Sequence, residues 1–263
     1  MNAPARAARR RRWPRALLGL VAAVGLLLLG PLGVLASGTV DLDTPWYARS
    51  SQSTGLAPDP AVEREAVVQV YGARAVRWRG AFAIHPWIAV KRAGAESYTT
   101  YQVVGWRAMR GGDAIVVTEG AAPDRHWYGA APQLLREHRG PQAQALADRI
   151  EAAVQRYPWP RTYRAWPGPN SNTFVAWVAR EVPELGLDLP AHAIGKDWLG
   201  PSTFIARAPS GTGWQVSAWG LAGLTLARDE GLELQLLGLG LGIDVQDARL
   251  RLPGVGAWPG TSP

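Results

Sequence analysis

Residues 167–174 read Pro-Gly-Pro-Asn-Ser-Asn-Thr-Phe and open an amphipathic stretch, which places Ser171 where a helix begins. The first turn of a helix carries unpaired N–H groups and a partial positive charge, and many hydrolases place a nucleophile there. Serine also caps helices for stability alone, and such a cap contributes about 0.5 to 2 kcal/mol. Ser171 is therefore a candidate nucleophile, with a helix cap as the alternative interpretation.

The residues around this segment predict an α+β fold. Residues 172–182 form an amphipathic helix that Pro183 ends. Upstream, residues 67–119 show β patterning broken by glycines, which is typical of antiparallel hairpins. Another helix starts at Pro141 and repeats apolar residues at helical spacing until Pro158 stops it. The prediction is an antiparallel sheet packed on helices.

The C-terminal part of the chain predicts extra β-strands. The β patterning returns after Trp214 and gives strands over residues 214–219, 221–227 and 232–241. Gly238, Gly240 and Gly242 alternate with leucines, so the small residues share one face of a strand. This alternation indicates a tightly packed strand edge, or else a bulge or the close approach of another backbone or a ligand.

The N-terminus predicts a membrane anchor. Six arginines precede the first acidic residue, and residues 16–35 then carry no charge, which is long enough to cross a bilayer. The positive-inside rule places the N-terminus in the cytoplasm and the domain outside, in the periplasm of a bacterial cell. Residues 34–36 also resemble a small-residue cleavage site, so a removed signal peptide is the alternative.

These boundaries divide the chain into five parts. They are a cytoplasmic basic segment (1–15), a transmembrane helix or uncleaved signal anchor (16–36), a flexible tether rich in small and polar residues (37–61), an exported α+β domain (62–256) and a disordered tail (257–263).

Composition excludes several classes of function. Removing the six N-terminal arginines from the 28 lysines and arginines leaves 22 basic residues against 21 acidic ones, so the folded part lacks the charge of a nucleic-acid-binding protein. The absence of cysteine excludes disulfides, a thiolate nucleophile and sulfur-ligated metals. No pair of histidines has a zinc-site spacing, so we expect neither a metal nor a cofactor.

A candidate general base lies upstream of the serine. His85 stands in Ile-His-Pro-Trp-Ile-Ala-Val, which predicts a strand. A serine hydroxyl needs concerted proton removal by a neutral histidine, and a third group has to orient the imidazole. Gln102 or Tyr101, on the next predicted strand, is the candidate for that third group. Lys196 offers an alternative base in a Ser-Lys dyad.

Other residues are candidates for binding a substrate. Asn170 and Asn172 flank the serine, and the loop with Lys196 and Asp197 follows the serine helix, so these residues are expected to line the same cleft. Two tryptophans of the 13 in the chain, Trp87 and Trp106, are candidate walls of that cleft, because aromatic faces cover sugars and lipid tails. Tryptophan is also a large core residue, which is the alternative interpretation.

Three segments carry a resemblance to known families: residues 85–88 (His-Pro-Trp-Ile), 168–174 (Gly-Pro-Asn-Ser-Asn-Thr-Phe) and 193–197 (Ala-Ile-Gly-Lys-Asp). Together they resemble an uncharacterised bacterial family of membrane-anchored domains of unknown function, from residue 62 to about residue 256. The arrangement is more distantly similar to circularly permuted papain-like hydrolases, which include PPPDE-type peptidases and the lecithin:retinol acyltransferase group.

The papain-like resemblance implies a permuted papain-like core and two catalytic roles. In those hydrolases a histidine on an early strand precedes a nucleophilic cysteine that opens a helix. His85 would be the general base, and Ser171 stands at the position of the cysteine. The chain departs from that pattern because a cysteine, with an ordinary pKa near 8.5, can be held as a thiolate, whereas a serine cannot.

Three functions remain open from the sequence. The first is an amide or ester hydrolase or acyltransferase that acts on a small molecule, peptide or lipid of the cell envelope. The second is a non-catalytic envelope module that binds a glycan, peptide or lipid in a tryptophan-lined cleft. The third is an assembly partner that uses the Gly-Leu strand edge. The membrane is an expected partner in each case, through the N-terminal helix.

Overall fold

A computed structural model describes residues 12–260 and has the predicted α+β architecture. Its helices are α1 (Arg12–Ala36), α2 (Gly105–Met109), α3 (Gly140–Gln155) and α4 (Ser171–Glu181). Most of the predicted cytoplasmic segment, residues 1–11, and the last three residues of the predicted tail lie outside the described residues.

The first sheet has five antiparallel strands in the order β4-β3-β2-β1-β5. They are β1 (Val67–Arg74), β2 (Ile84–Lys91), β3 (Thr99–Val103), β4 (Ile115–Glu119) and β5 (Gln133–Arg139). Strand β5 was not predicted, because its sequence Gln-Leu-Leu-Arg-Glu-His-Arg has more polar residues than a half-buried strand usually has. Residues Arg77–Ala81, between β1 and β2, form a 3-10 turn.

Helices α3 and α4 cover one face of this sheet. Val70 and Ile88 from neighbouring strands meet Ile150 of α3 and Phe174 of α4 in the main core, and all four are fully buried. The opposite face has a smaller core, in which the rings of Tyr71 and Trp87 stack with centroids 5.8 Å apart. Successive residues of β2 therefore alternate between two apolar layers, which fixes the register of this central strand.

The second sheet is a seven-stranded antiparallel meander, in the order β12-β11-β10-β9-β8-β7-β6. Its strands are β6 (Ile205–Arg207), β7 (Gly213–Ala218), β8 (Ala222–Ala227), β9 (Gly231–Leu236), β10 (Leu239–Asp244), β11 (Arg249–Leu252) and β12 (Gly256–Trp258). The prediction of one strand over residues 232–241 is wrong. Leu237 and Gly238 both have positive φ, 54° and 83°, and turn the chain between β9 and β10.

The inner face of the second sheet is polar and buried. The Lys196 ammonium donates to Glu233 Oε2 at 3.0 Å, and Arg251 Nε donates to the same oxygen at 2.9 Å. Two further Arg251 nitrogens donate to the Asp188 carboxylate at 2.5 and 2.7 Å. Each of these charges has a partner of opposite sign, and the network joins the second sheet to the loops that follow α4.

Helix α1 is long and apolar enough to cross a membrane, over Pro14–Ala36. Its last turns contact the domain: Val34 packs with Val40 and with Ala81 of the 3-10 turn. A Cβ added at Gly30 would lie 2.1 Å from the Pro253 carbonyl oxygen, so only glycine permits this approach.

The predicted tether, residues 37–61, runs partly along the surface of the domain. Asp124 holds it there: its carboxylate accepts hydrogen bonds from the Ser53 hydroxyl at 2.7 Å and from the Leu56 N–H at 2.7 Å. The Thr54 hydroxyl donates to the Asp124 backbone carbonyl at 2.9 Å. These bonds fix the middle of the segment against the loop that follows β4.

Candidate active site

The first turn of α4 is capped by Asn170, and Ser171 is the first residue inside the helix. The Asn170 side-chain oxygen accepts from the Thr173 N–H at 3.1 Å, and the Thr173 hydroxyl accepts from the Asn170 N–H at 3.1 Å. This reciprocal pair is a capping box. The capping function that the sequence left open for Ser171 therefore belongs to its neighbour.

The Asn170 amide also fixes the surrounding loops. It donates to the carbonyls of Ala165 and Ile194 at 3.0 and 2.9 Å. Asn172 donates to the same Ile194 carbonyl at 2.9 Å and to the Ile84 carbonyl of β2 at 3.0 Å. The two asparagines thus act as a frame that ties the helix start to β2.

The Ser171 hydroxyl is left without a hydrogen-bond partner among the described residues, although Ser171 is only 4% exposed. The backbone N–H groups of Ser171 and Asn172 belong to the first helical turn, where no intrahelical acceptor exists. A hydroxyl and two N–H donors therefore lie together at the positive end of α4. This combination suits attack on a carbonyl and stabilisation of the resulting oxyanion.

His85 lies near the start of β2, at an open corner of the first sheet. Pairing between β2 and β3 extends only from Val90 to Ile88, so the two strands separate before His85. Pro86, which has no N–H to donate, lies in the separated part. The backbone at this corner is therefore not covered by β3.

Gln102 orients the imidazole of His85. The ring Nε2 lies 3.0 Å from the Gln102 amide oxygen, which can only accept, so Nε2 carries the proton and Nδ1 has the free lone pair. Tyr101 lies on the opposite face of β3 from Gln102 and packs in the main core beside Ile88. The register of β3 thus selects Gln102, one of the two predicted candidates, as the residue that contacts His85.

The surroundings of His85 keep it neutral. Its ring stacks on Trp127 with centroids 3.7 Å apart and an angle of 7° between the planes. Burial lowers the pKa of His85 to about 4, the Gln102 hydrogen bond raises it, and the charge of Arg125 lowers it. A neutral imidazole can accept a proton from a hydroxyl, although its basicity is below that of a histidine with an ordinary pKa.

Ser171 and His85 line one cavity of about 500 Å³, which we call the site cavity. Its walls are mostly apolar, and Trp106, Trp127 and Tyr163 are their largest side chains. Within residues 12–260, no direct hydrogen bond joins Ser171 to His85. Both residues line this cavity, and the His85 ring packs with Trp87 and Trp127 on the face of the first sheet opposite the one that α4 covers.

A second cavity of about 500 Å³, which we call the outer cavity, adjoins this one. Gln102, Trp106 and Trp127 line it, and the last two also line the site cavity. The Trp127 indole therefore forms a wall between the two spaces. A turn at Tyr128 and Gly129, both with positive φ (48° and 87°), holds Trp127 in this position.

Four predicted site residues lie elsewhere among the described residues. Trp87 belongs to the smaller core, and its indole N–H donates to the Pro123 carbonyl at 2.7 Å. Lys196 is bound by Glu233 in the buried network, and Asp197 accepts a hydrogen bond from Gln215. Tyr101, as described above, faces the main core. The Asp197 carboxylate faces Gln215 of the second sheet, and burial raises its pKa to about 6.

Sequence reasoning missed Trp127 and Tyr163, which both line the site cavity. Trp127 stands in a segment without periodicity, so no pattern linked it to His85. Tyr163 lies close to Gly105, where an added Cβ would meet its ring at 2.5 Å. The glycine at that position was the one available signal of a close approach.

A family model described as "Protein of unknown function (DUF3750)" matches residues 65–198 of the 263-residue chain. The chain belongs to this family. The predicted resemblance to a family of unknown function is thereby confirmed, and the matched DUF3750 region contains the first sheet, α3, α4 and both Ser171 and His85. The seven-stranded sheet follows this region. Comparisons with curated proteins and with solved structures give no match.

Proposed function

We propose that this DUF3750 protein is a single-pass protein of the bacterial inner membrane whose periplasmic domain cleaves or transfers an acyl group from an amide or ester. The observation that carries the proposal is the free Ser171 hydroxyl. Asn170 caps α4 in its place, so Ser171 lies unbonded at a helix N-terminus in the same cavity as an oriented, neutral histidine. The permuted papain-like resemblance supports the same assignment.

The reaction would follow from this geometry. Ser171 Oγ attacks the carbonyl carbon of the substrate while His85 Nδ1 takes its proton. The N–H groups of Ser171 and Asn172 hold the oxyanion, and Gln102 keeps the imidazole in the required tautomer. The proton then passes from His85 to the leaving amine or alcohol. Water, or a second acceptor molecule, removes the acyl group from Ser171.

A serine-acylating probe tests this proposal. The full-length protein should be labelled covalently at Ser171, and Ser171→Ala should abolish the labelling. Ser50→Ala is the matched control, because Ser50 is an exposed serine that lines the outer cavity, and this variant should be labelled like the parent protein. Absence of labelling over pH 5 to 9, about two pH units on either side of neutrality, would exclude a serine nucleophile.

A second function is favoured by the aromatic lining of the site cavity. A pKa of about 4 is below the value near the working pH that suits a general base. A module that binds an envelope glycan, peptide or lipid would need no base, and the aromatic walls formed by Trp106, Trp127 and Tyr163 suit such a ligand. An unlabelled protein that binds envelope fragments, and loses this binding in Trp106→Ala, would support the module.

A further inference from the structure

The outer face of the seven-stranded sheet carries two apolar rows that cross the strands in register. One row consists of Ile205, Val216, Leu224, Leu234 and Leu241. The other consists of Trp214, Leu226, Leu232, Ile243, Leu250 and Trp258. Every one of these side chains is exposed, from 37% at Leu241 to 64% at Leu226.

This sheet has the opposite polarity to that of a sheet in water. An antiparallel sheet with one solvated face normally turns its apolar residues to the core and its polar residues outward. Here the residues that alternate with the apolar rows are polar and buried, among them Gln215, Thr225, Glu233 and Arg251. Contiguous exposed apolar patches of this kind mark interaction surfaces. The outer face therefore fits apolar surroundings.

The position of α1 indicates what those surroundings are. Pro31 of α1 lies against Gly254, where an added Cβ would come within 2.9 Å of the Pro31 Cα, and α1 also contacts β10. Gly30 makes the close contact with Pro253 described above. These residues lie at most six positions before the end of α1 at Ala36, which is about 9 Å of helix. The sheet is thus packed against the last turns of an apolar helix.

We propose that the two apolar rows dock on the lipid bilayer that α1 crosses. This inference rests on the membrane crossing of α1 stated under the proposed function, and it does not depend on catalysis by Ser171. The contacts of α1 with β10 and with residues 253–254 place one end of the sheet at the boundary between headgroups and acyl chains. The leucines and tryptophans of the rows then enter that boundary, as the apolar face of an interfacial element does.

Site-directed fluorescence quenching tests this docking on the full-length protein. The chain contains no cysteine, so a single label can be placed at Leu234→Cys, in the middle of one row. The protein is reconstituted in vesicles of phosphatidylcholine and phosphatidylglycerol, with or without lipids spin-labelled on the acyl chain. We expect the spin-labelled lipids to reduce the fluorescence at position 234 about twofold or more. A label at Gln155→Cys, at the exposed end of α3, is the control and should keep its fluorescence.

Other results would overturn the proposal. Equal fluorescence at position 234 with and without spin-labelled lipid excludes docking. Disulfide cross-linking between two copies at position 234, without quenching, would mean that a second copy covers the rows. A mature chain that begins after residue 36, measured by intact mass, would remove the anchor. Leu241→Cys repeats the measurement if Leu234→Cys does not fold.

The docking and the enzymatic proposal can fail separately. Quenching at position 234 is measured in parallel in a Ser171→Ala background, where it should be unchanged. A protein that is quenched but not labelled at Ser171 retains the docking surface and loses the nucleophile. A protein that is labelled but not quenched retains the nucleophile and loses the docking surface.

Discussion

Trp127→Ala should raise the pKa of His85. The Trp127 indole covers the imidazole face at 3.7 Å and separates the site cavity from the outer cavity, each of about 500 Å³. Without the indole the two cavities join, and water reaches the ring. Because burial is the main cause of the low pKa of His85, its removal should move the pKa from about 4 toward the ordinary 6.5.

The size of this pKa change follows from the ordinary and the lowered pKa of His85. The difference between 6.5 and about 4 corresponds to about 3 kcal/mol of preference for the neutral imidazole. If the indole supplies a third or more of this burial, the pKa should rise by at least about one unit, or about 1.4 kcal/mol. If Ser171 is acylated with His85 as the base, the acid limb of the labelling rate should move upward by the same amount.

The assay is a titration of the His85 Cε1–H resonance by NMR, assigned with a His85→Gln variant. Trp106→Ala is the matched control: Trp106 lines both cavities and contacts Trp127 at a centroid distance of 6.2 Å, but it does not stack on His85. A His85 pKa that stays within about 0.5 unit of the parent value in Trp127→Ala would refute the role of the indole.

Three further predictions concern the support of the site. Asn170→Ala should lower the free energy of unfolding by about 2 to 4 kcal/mol, because it removes a cap and leaves the Ala165 and Ile194 carbonyls without that donor. Asn170→Ser, which keeps a cap acceptor, should lose less in chemical denaturation. Lys196→Met should lower the free energy of unfolding by about 3 to 5 kcal/mol, because it leaves Glu233 without this buried partner. Adding Glu233→Gln to this variant should recover at least about 1 kcal/mol of that free energy. Additive losses in the double variant would contradict the pairing. Acid should destabilise the fold, because burial lowers the pKa of His85 to about 4 and that of His192 to about 3, so below pH 6.5 the unfolded chain binds protons that the folded chain does not. Between pH 6.5 and its folded pKa, each histidine lowers the free energy of unfolding by at most about 1.4 kcal/mol for each pH unit of acidification. His192→Gln should therefore reduce the pH dependence of the denaturation midpoint.

Local patterns were sufficient to predict the elements that carry the candidate site. The start of α4 followed from residues 167–174, and the strand of His85 followed from its apolar neighbours. The choice between Gln102 and Tyr101 did not follow, because a shift of one residue in strand register exchanges the two faces. Trp127 could not be placed either, because its stacking on His85 depends on a turn between distant parts of the chain.

The assignment of Lys196 and Asp197 to the cleft shows a different limit. Charged residues in a loop after the serine helix were expected to face a ligand, since buried charges are uncommon. Their partners, Glu233 and Gln215, lie on strands of the second sheet. The second sheet presents its polar face to the domain, so the strand pattern was recognised but its two faces could not be assigned from alternation alone.

The inverted sheet also connects the apolar rows to the candidate active site. The Ile194 carbonyl that receives hydrogen bonds from Asn170 and Asn172 lies in the same loop as Lys196, which the second sheet holds through Glu233. A second connection comes from the segment before α4: the Trp166 indole N–H donates to the Leu237 carbonyl at 2.9 Å, in the turn between β9 and β10. The two connections mean that the frame around Ser171 is fixed by the sheet whose outer face carries the apolar rows. A sheet that docks on lipid would therefore hold the site cavity at a constant position relative to the bilayer. The polar inner face of the sheet has a role in this arrangement, because its side chains make directional hydrogen bonds to the domain that apolar side chains could not make.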